Sequence, residues 1–149
     1  MSLVTFETIG NTGIIRLNNP PVNVISLPVR KLFMECLDEA RDKPVDSVLI
    51  MGGEAVFTAG ADITEFTRPP QFPILPELCL AVEAFNKPII AAMRGTTVGG
   101  GIEISLACHY RVASPDARFS LPELKLGLIP GSGGTQRVTR LAGVKEALE

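Results

Sequence analysis

Pro88-Ile89-Ile90-Ala91-Ala92-Met93-Arg94-Gly95-Thr96-Thr97-Val98-Gly99-Gly100-Gly101-Ile102-Glu103 is the stretch that decides how this chain reads. Its opening residues form a short, nearly continuous apolar run, the pattern of a buried strand. Three glycines then stand directly before an apolar segment that predicts a helix from about Gly100 to Ala107. Upstream, Val48-Leu49-Ile50-Met51 makes Val45 to Met51 a second buried strand. Between the two strands, Leu78, Ala81, Val82 and Phe85 fall on one helical face, predicting a helix over 78–85. Strand, helix, strand implies a right-handed crossover in a parallel sheet, and therefore an α/β fold.

Working outward from that unit, Val4 and Phe6, then Ile14, Ile15 and Leu17, alternate on either side of Gly10-Asn11-Thr12-Gly13, which predicts a hairpin. Asn18-Asn19-Pro20-Pro21 ends it. Val29, Leu32, Phe33, Cys36, Leu37 and Ala40 then mark an amphipathic helix, with Ser26 as N-cap, Pro28 in the first turn and Pro44 at its end. Four prolines between Pro69 and Pro76 predict that no regular element crosses that segment. Toward the C-terminus, Tyr110 to Ala113 and Phe119-Ser120-Leu121 read as short strands, and a last helix runs from about Gly134 to Leu141. The theme is a repeated β-β-α or β-α unit without sequence repeats, linkers or low-complexity segments.

Composition narrows the function classes. The 149 residues suit one domain, residues 1–149, and are enough to bury a real core. Hydrophobic residues at 46% and charged residues at 20% are ordinary for a globular protein. A net charge of −2 without long runs of one sign is no footprint of a nucleic-acid binder. No apolar run reaches the length of a membrane span, and the N-terminus lacks a signal-peptide pattern. Cys36, Cys79 and Cys108 are odd in number and widely spaced, so reduced, buried thiols in an intracellular protein are expected. His109 is the only histidine and has no Cys/His cluster around it, which argues against a zinc site.

Three features carry chemistry. Gly99-Gly100-Gly101 before a helix lets backbone approach a ligand, and the free N–H groups at the helix N-terminus suit a developing oxyanion. The glycines match neither a dinucleotide fingerprint nor a P-loop, and taken alone they could serve only tight packing. Phe57-Thr58-Ala59-Gly60-Ala61-Asp62-Ile63 follows the Val45–Met51 strand, at the sheet edge where open α/β proteins bind ligands. An ordinary turn capped by Asp62 is the alternative there. Glu103 and Glu123 both have apolar sequence neighbours. If they are buried close together they would titrate as a pair, as acid/base work on one water requires. Singly, each could instead be a surface glutamate.

These segments together resemble the crotonase superfamily of enoyl-CoA hydratases and isomerases. The matching stretches, in family order, are Asn19-Pro20-Pro21-Val22-Asn23, Phe57 to Ile63, Gly99 to Glu103, Phe119-Ser120-Leu121-Pro122-Glu123, and Leu126-Gly127-Leu128-Ile129-Pro130-Gly131-Ser132-Gly133-Gly134-Thr135-Gln136-Arg137. The Asn-Pro-Pro-Val-Asn start and Ala107-Cys108-His109-Tyr110-Arg111 also resemble the hydratase domains of bifunctional fatty-acid oxidation enzymes. The resemblance implies a crotonase-like spiral of β-β-α units. It implies an oxyanion hole from the backbone N–H groups of Ala61 and Gly100, catalytic carboxylates at Glu103 and Glu123, and substrate contacts at Ala59, Gly60, Asp62, Ile63 and Gly99.

The reaction so implied is hydration of trans-2-enoyl-CoA in fatty-acid β-oxidation. By this resemblance Glu123 would act chiefly on the C2 proton and Glu103 would help hold and activate the water, while the sequence itself leaves open which carboxylate delivers which proton. No metal or redox cofactor is expected, since the chemistry is proton transfer plus charge stabilisation, and coenzyme A arrives as part of the acyl-CoA thioester substrate. Rival readings are an enoyl-CoA isomerase, which could run on the Glu123 position alone, and a non-catalytic acyl-CoA-binding fragment. The family also implies a homo-oligomer, trimer or hexamer. The setting would be cytoplasmic in a bacterium, and peroxisomal or mitochondrial in a eukaryote. Family members continue past the point where this chain stops, into C-terminal helices that cover the acyl pocket. The expected domain is therefore the catalytic core without that helical region.

Overall fold

The computed structural model of the protein describes residues 2–148. Strands β1 (Val4–Ile9) and β2 (Thr12–Leu17) pair antiparallel as the expected hairpin. Helix α1 (Leu27–Asp42) buries Val29, Phe33, Cys36, Leu37 and Ala40, the face predicted from periodicity, with Leu32 half-buried at its edge. Strands β3 (Ser47–Met51) and β4 (Val56–Thr58) precede a 3-10 turn at Ile63–Glu65, helix α2 (Leu75–Glu83), and strands β5 (Ile89–Met93) and β6 (Thr96–Val98). Helix α3 (Gly100–Ala107), strands β7 (Tyr110–Ala113) and β8 (Arg118–Ser120), a 3-10 turn at Pro122–Leu126, and helices α4 (Gly134–Ala142) and α5 (Val144–Leu148) complete the chain.

Two sheets result. The five-stranded sheet has the order β1-β2-β3-β5-β7 and is parallel from β2 onward. The three-stranded sheet, β4-β6-β8, is wholly parallel. The chain visits the large sheet at β3, β5 and β7 and the small one at β4, β6 and β8. Each turn of the chain thus adds one strand to both sheets, which is the expected spiral of repeated units. One buried cluster joins α1, α2 and α3 with the large sheet and includes Phe33, Leu37, Val48, Ile50, Leu78, Ile89 and Ile104.

The structure corrects the local expectations in three places. Strands β4 and β6 have no signature in the sequence, because three residues beside glycines cannot display a period of two. Helix α2 begins inside the proline-rich stretch, at Leu75, and ends at Glu83, short of Phe85. Pro76 sits in its first turn, where a missing N–H costs nothing. The Glu77 carboxylate accepts from the Ile74 amide at 3.1 Å and secures that end. Ser26 does occupy the N-cap of α1, but its side chain makes no capping bond. The Leu27 amide donates instead to Glu65 Oε1 at 2.7 Å.

That carboxylate anchors a second feature absent from any local pattern. Arg30 is only 5% exposed. It donates to Glu65 Oε2 at 2.8 Å, to the Pro73 carbonyl at 2.7 Å and to the Ile25 carbonyl at 3.0 Å. One guanidinium therefore ties α1 to the Ile63–Glu65 turn and to the proline-rich stretch itself. Arg30→Met should strand two carbonyls and a carboxylate. Breaking a buried pair in this way costs about 3 kcal/mol, or roughly 6–12 °C of Tm in a chain of this size. Thermal denaturation checks it, and an unchanged Tm contradicts the structural role.

The remaining single residues are structural. His109 Nδ1 accepts from the Ile89 amide at 3.0 Å, which joins the end of α3 to β5. Cys36, Cys79 and Cys108 are free and buried. Burial pushes the Cys79 and Cys108 thiols up to about 12, so they stay neutral and apolar in character. Among the described residues no helix is long and apolar enough to cross a membrane.

Candidate active site

A cavity of about 700 Å³ opens at the N-terminal end of α3. Ala59, Ala61, Asp62, Ile63, Gly99, Gly100, Glu103 and Glu123 all line it. These are the candidate residues of the sequence with one exception. Gly60 stands behind the lining, where a β-carbon would lie 2.6 Å from the Val98 carbonyl. Its role is to let two backbone segments touch. The Asp62 side chain serves its own turn: Oδ1 accepts from the Thr64 amide at 2.9 Å and from the Thr64 hydroxyl at 2.7 Å.

The two candidate amides come together through that close contact. Ile25 forms a parallel bridge with Ala61, and its amide donates to the Gly60 carbonyl at 2.8 Å. This holds the Ala61 segment against the start of α3. A β-carbon on Gly60 would lie 3.1 Å from the Gly100 nitrogen, and one on Gly100 would lie 3.4 Å from the Ala61 nitrogen. Gly100 is the first residue of α3, so its N–H has no acceptor within the helix. Both residues line the cavity, and the helix dipole stands behind the Gly100 amide.

Gly99 makes the turn into α3 with φ +52, a conformation that a side chain would strain. A β-carbon there would also lie 2.9 Å from Glu123 Oε1. The Gly99 amide donates to the Ser120 carbonyl at 2.9 Å, which extends the β6–β8 ladder and brings the Pro122–Leu126 turn over the cavity. Glu123 sits in that turn.

The two carboxylates have different surroundings. Glu103 is 3% exposed, in the first turn of α3. Its Oε1 accepts from the Ser132 amide at 2.6 Å and from the Gly134 amide at 2.9 Å. Two charge-assisted bonds therefore fix its orientation. Glu123 Oε2 is buried with no hydrogen-bond partner among the described residues. Burial pushes the Glu123 carboxyl above its ordinary value, a bond from its own backbone pulls it back, and the charge of Glu103 pushes it up again. One carboxylate is anchored, and the other is left with an unsatisfied oxygen and a tendency to hold a proton. Two carboxylates held so differently in one cavity could divide the work of acid and base between them.

Comparison with known proteins places the whole fold in a family. The model of the family described as enoyl-CoA hydratase/isomerase matches residues 7–149. This chain belongs to the enoyl-CoA hydratase/isomerase family. It is 46% identical over 140 residues to a peroxisomal bifunctional enzyme of Danio rerio, covering 93% of this chain and 20% of that protein. It is 44% identical over 145 residues to a probable enoyl-CoA hydratase of Bacillus subtilis (strain 168), covering 92% of this chain and 56% of that one. Among solved structures, an enoyl-CoA hydratase from Bacillus anthracis superposes with a TM-score of 0.88 at 33% identity, covering 97% of this chain and 60% of that one. The chain therefore spans about a fifth of the bifunctional relative and little more than half of the two hydratases. The fold is that of crotonase-type hydratases.

Within this family frame, the residues that hold Glu103 are ones that sequence reasoning misses. Ser132 and Gly134 lie in a stretch that matches the family as a motif without any role attached. A signal is present all the same. Gly131-Ser132-Gly133-Gly134 directly before α4 repeats the arrangement of Gly99-Gly100-Gly101 before α3, with amides concentrated at a helix start.

Proposed function

We propose that this chain hydrates trans-2-enoyl-CoA thioesters by syn addition, giving 3-hydroxyacyl-CoA, as a step of fatty-acid β-oxidation. The observation that carries the reading is the meeting of four groups in one cavity: the Ala61 and Gly100 amides, anchored Glu103 and proton-prone Glu123. The thioester oxygen accepts from the two amides. Glu103 takes up and orients a water, whose oxygen bonds to C3. Electron density moves from the C2–C3 double bond toward the thioester oxygen, and Glu123 delivers a proton to C2. The proton lost by the water returns to the carboxylate pair, so the site is restored and one water has been added. Neither a metal nor a redox group is required in this scheme.

Double-bond isomerisation is the second reading, because moving one proton needs only Glu123. Burial of Glu103 on two amides favours hydration, since isomerisation has no use for a water-holding carboxylate. A homo-oligomer in an intracellular compartment also belongs to the proposal. It is supported by apolar Tyr110 and Val112 exposed on edge strand β7 and by Phe119 exposed on edge strand β8. The test is loss of the conjugated enoyl-thioester absorbance with crotonyl-CoA, run beside a 3-enoyl-CoA. Loss with crotonyl-CoA supports hydration. Gain of conjugation with the 3-enoyl substrate and no loss with crotonyl-CoA favours isomerisation.

The oxyanion assignment has its own test. Proline suits the first position of a helix and removes only the N–H, but any β-carbon at Gly100 also meets the Leu75 side chain. Gly100→Ala keeps the amide and introduces the same β-carbon, so it controls for that contact. Gly100→Pro should therefore fall about 10²–10³-fold below Gly100→Ala in kcat, the usual loss for one oxyanion donor. Equal rates in steady-state assays would show that Gly100 is merely structural.

A further inference from the structure

The loop that holds Glu103 is itself held from behind. Arg137, in the first turn of α4, points back so that Nη1 donates to the Ser132 carbonyl at 2.8 Å. Its Nε and Nη2 donate to the two Glu83 oxygens on α2 at 3.2 Å and 2.8 Å. Ser132 is therefore gripped on both sides. Its carbonyl is bound by Arg137 and its amide by Glu103 at 2.6 Å. The Arg137 side chain is 13% exposed, while that of Glu83 is 53% exposed. Gly133 separates the two amides that reach Glu103, and it adopts φ +97. A β-carbon on Gly133 would run into the Arg137 guanidinium. The loop is thus shaped around this cation, with glycine where the guanidinium lies against the backbone.

We infer that Arg137, oriented by Glu83, is the positioning residue for Glu103: it clamps the Ser132 carbonyl so that the Ser132 and Gly134 amides converge on one carboxylate oxygen. The inference rests on the reading of Glu103 as the water-holding carboxylate. The chemistry suits arginine in particular. Its planar fork grips a carboxylate with two donors and leaves a third for the carbonyl, whereas the point charge of lysine cannot satisfy both at fixed geometry. Arg137 touches neither water nor thioester in this scheme and acts only through the loop.

The test uses Arg137→Met, which keeps much of the length of the side chain and removes its donors. Hydration of crotonyl-CoA should lose about 10- to 100-fold in kcat, the scale of a misplaced catalytic group, while KM stays within about threefold. In a Glu103→Gln background the same change should cost less than about threefold, because groups acting through one carboxylate are not additive. A purely stabilising residue would cost the same factor in both backgrounds, and that result overturns the inference. Amide hydrogen exchange at Ser132 and Gly134 should speed up in Arg137→Met whatever the reaction proves to be. Unchanged exchange with unchanged kcat also overturns it. Faster exchange with normal turnover in Glu103→Gln would mean that the clamp exists and the water-holding reading has failed. Should Arg137→Met not fold, Glu83→Gln, altered at an exposed side chain, should show the same changes at about three- to tenfold in kcat. Normal kcat and exchange there would remove Glu83 from the clamp and overturn the inference as stated.

Discussion

Glu123→Gln is expected to lower kcat for crotonyl-CoA hydration by about 10²–10⁴-fold, the usual contribution of a general acid or base, with KM nearly unchanged and Tm equal or higher. The loss follows from the proton. Glutamine copies the shape of the side chain and cannot deliver or recover a proton at C2. The stability side follows from the environment. Burial and the charge of Glu103 both work against ionised Glu123, and one of its oxygens has no partner among the described residues.

Because its folded-state pKa is raised, protonated Glu123 is the comfortable form. The stability this group contributes is full below its unfolded pKa and is lost as pH rises through the raised folded value. Removing the charge should therefore raise Tm near pH 8, and the gain should vanish near pH 4, where the wild type is protonated as well. Calorimetry at the two pH values reads this directly. A Tm that falls at pH 8 would mean that the fold stabilises ionised Glu123, the opposite of what its burial beside Glu103 requires.

Glu103 should behave in the opposite way. Glu103→Ala is expected to lose about 10²–10⁴-fold in kcat and substantial stability as well. Its Oε1 is the acceptor for the Ser132 and Gly134 amides. Alanine would leave both donors buried and unpaired, at about 1–3 kcal/mol each, or a Tm lower by roughly 4–24 °C in a chain of this size. Glu103→Gln retains a carbonyl oxygen for the same two amides. Its Tm should fall far less than that of the alanine variant, while its kcat should fall nearly as far. Steady-state kinetics and thermal denaturation of the pair thus separate anchoring from chemistry. Parallel loss of Tm in both variants would show that the negative charge, rather than the acceptor, holds the loop.

How far the sequence foretells this arrangement depends on range. The buried face of α1 is legible because its apolar residues repeat at helical spacing, and α3 because its apolar residues follow a glycine start. The hairpin and the buried strands β3 and β5 are legible for the same local reason. Strands β4 and β6 are not, since their pairing is decided by partners far along the chain and three residues show no period. Arg30 reads as an ordinary charge on an amphipathic helix. Its burial depends on Glu65, Ile25 and Pro73 converging on it, which no local pattern reports. The site divides along the same line. Motifs name Glu103, Glu123, Ala61 and Gly100, and all four line one cavity. The Ser132 and Gly134 amides that hold Glu103 lie in one stretch far from it in sequence, and Glu83 reaches that loop through Arg137 from a separate segment, which only the folded chain shows.

Glu103 and Glu123 should work as one unit on one water. The rate of crotonyl-CoA hydration by Glu103→Gln, Glu123→Gln and the double variant decides whether they do. If the pair is one unit, each single variant falls by at least about 10²-fold and the double variant falls little further than the worse single one, as groups acting together do. Near-normal turnover in either single variant, or losses that multiply in the double, would contradict it.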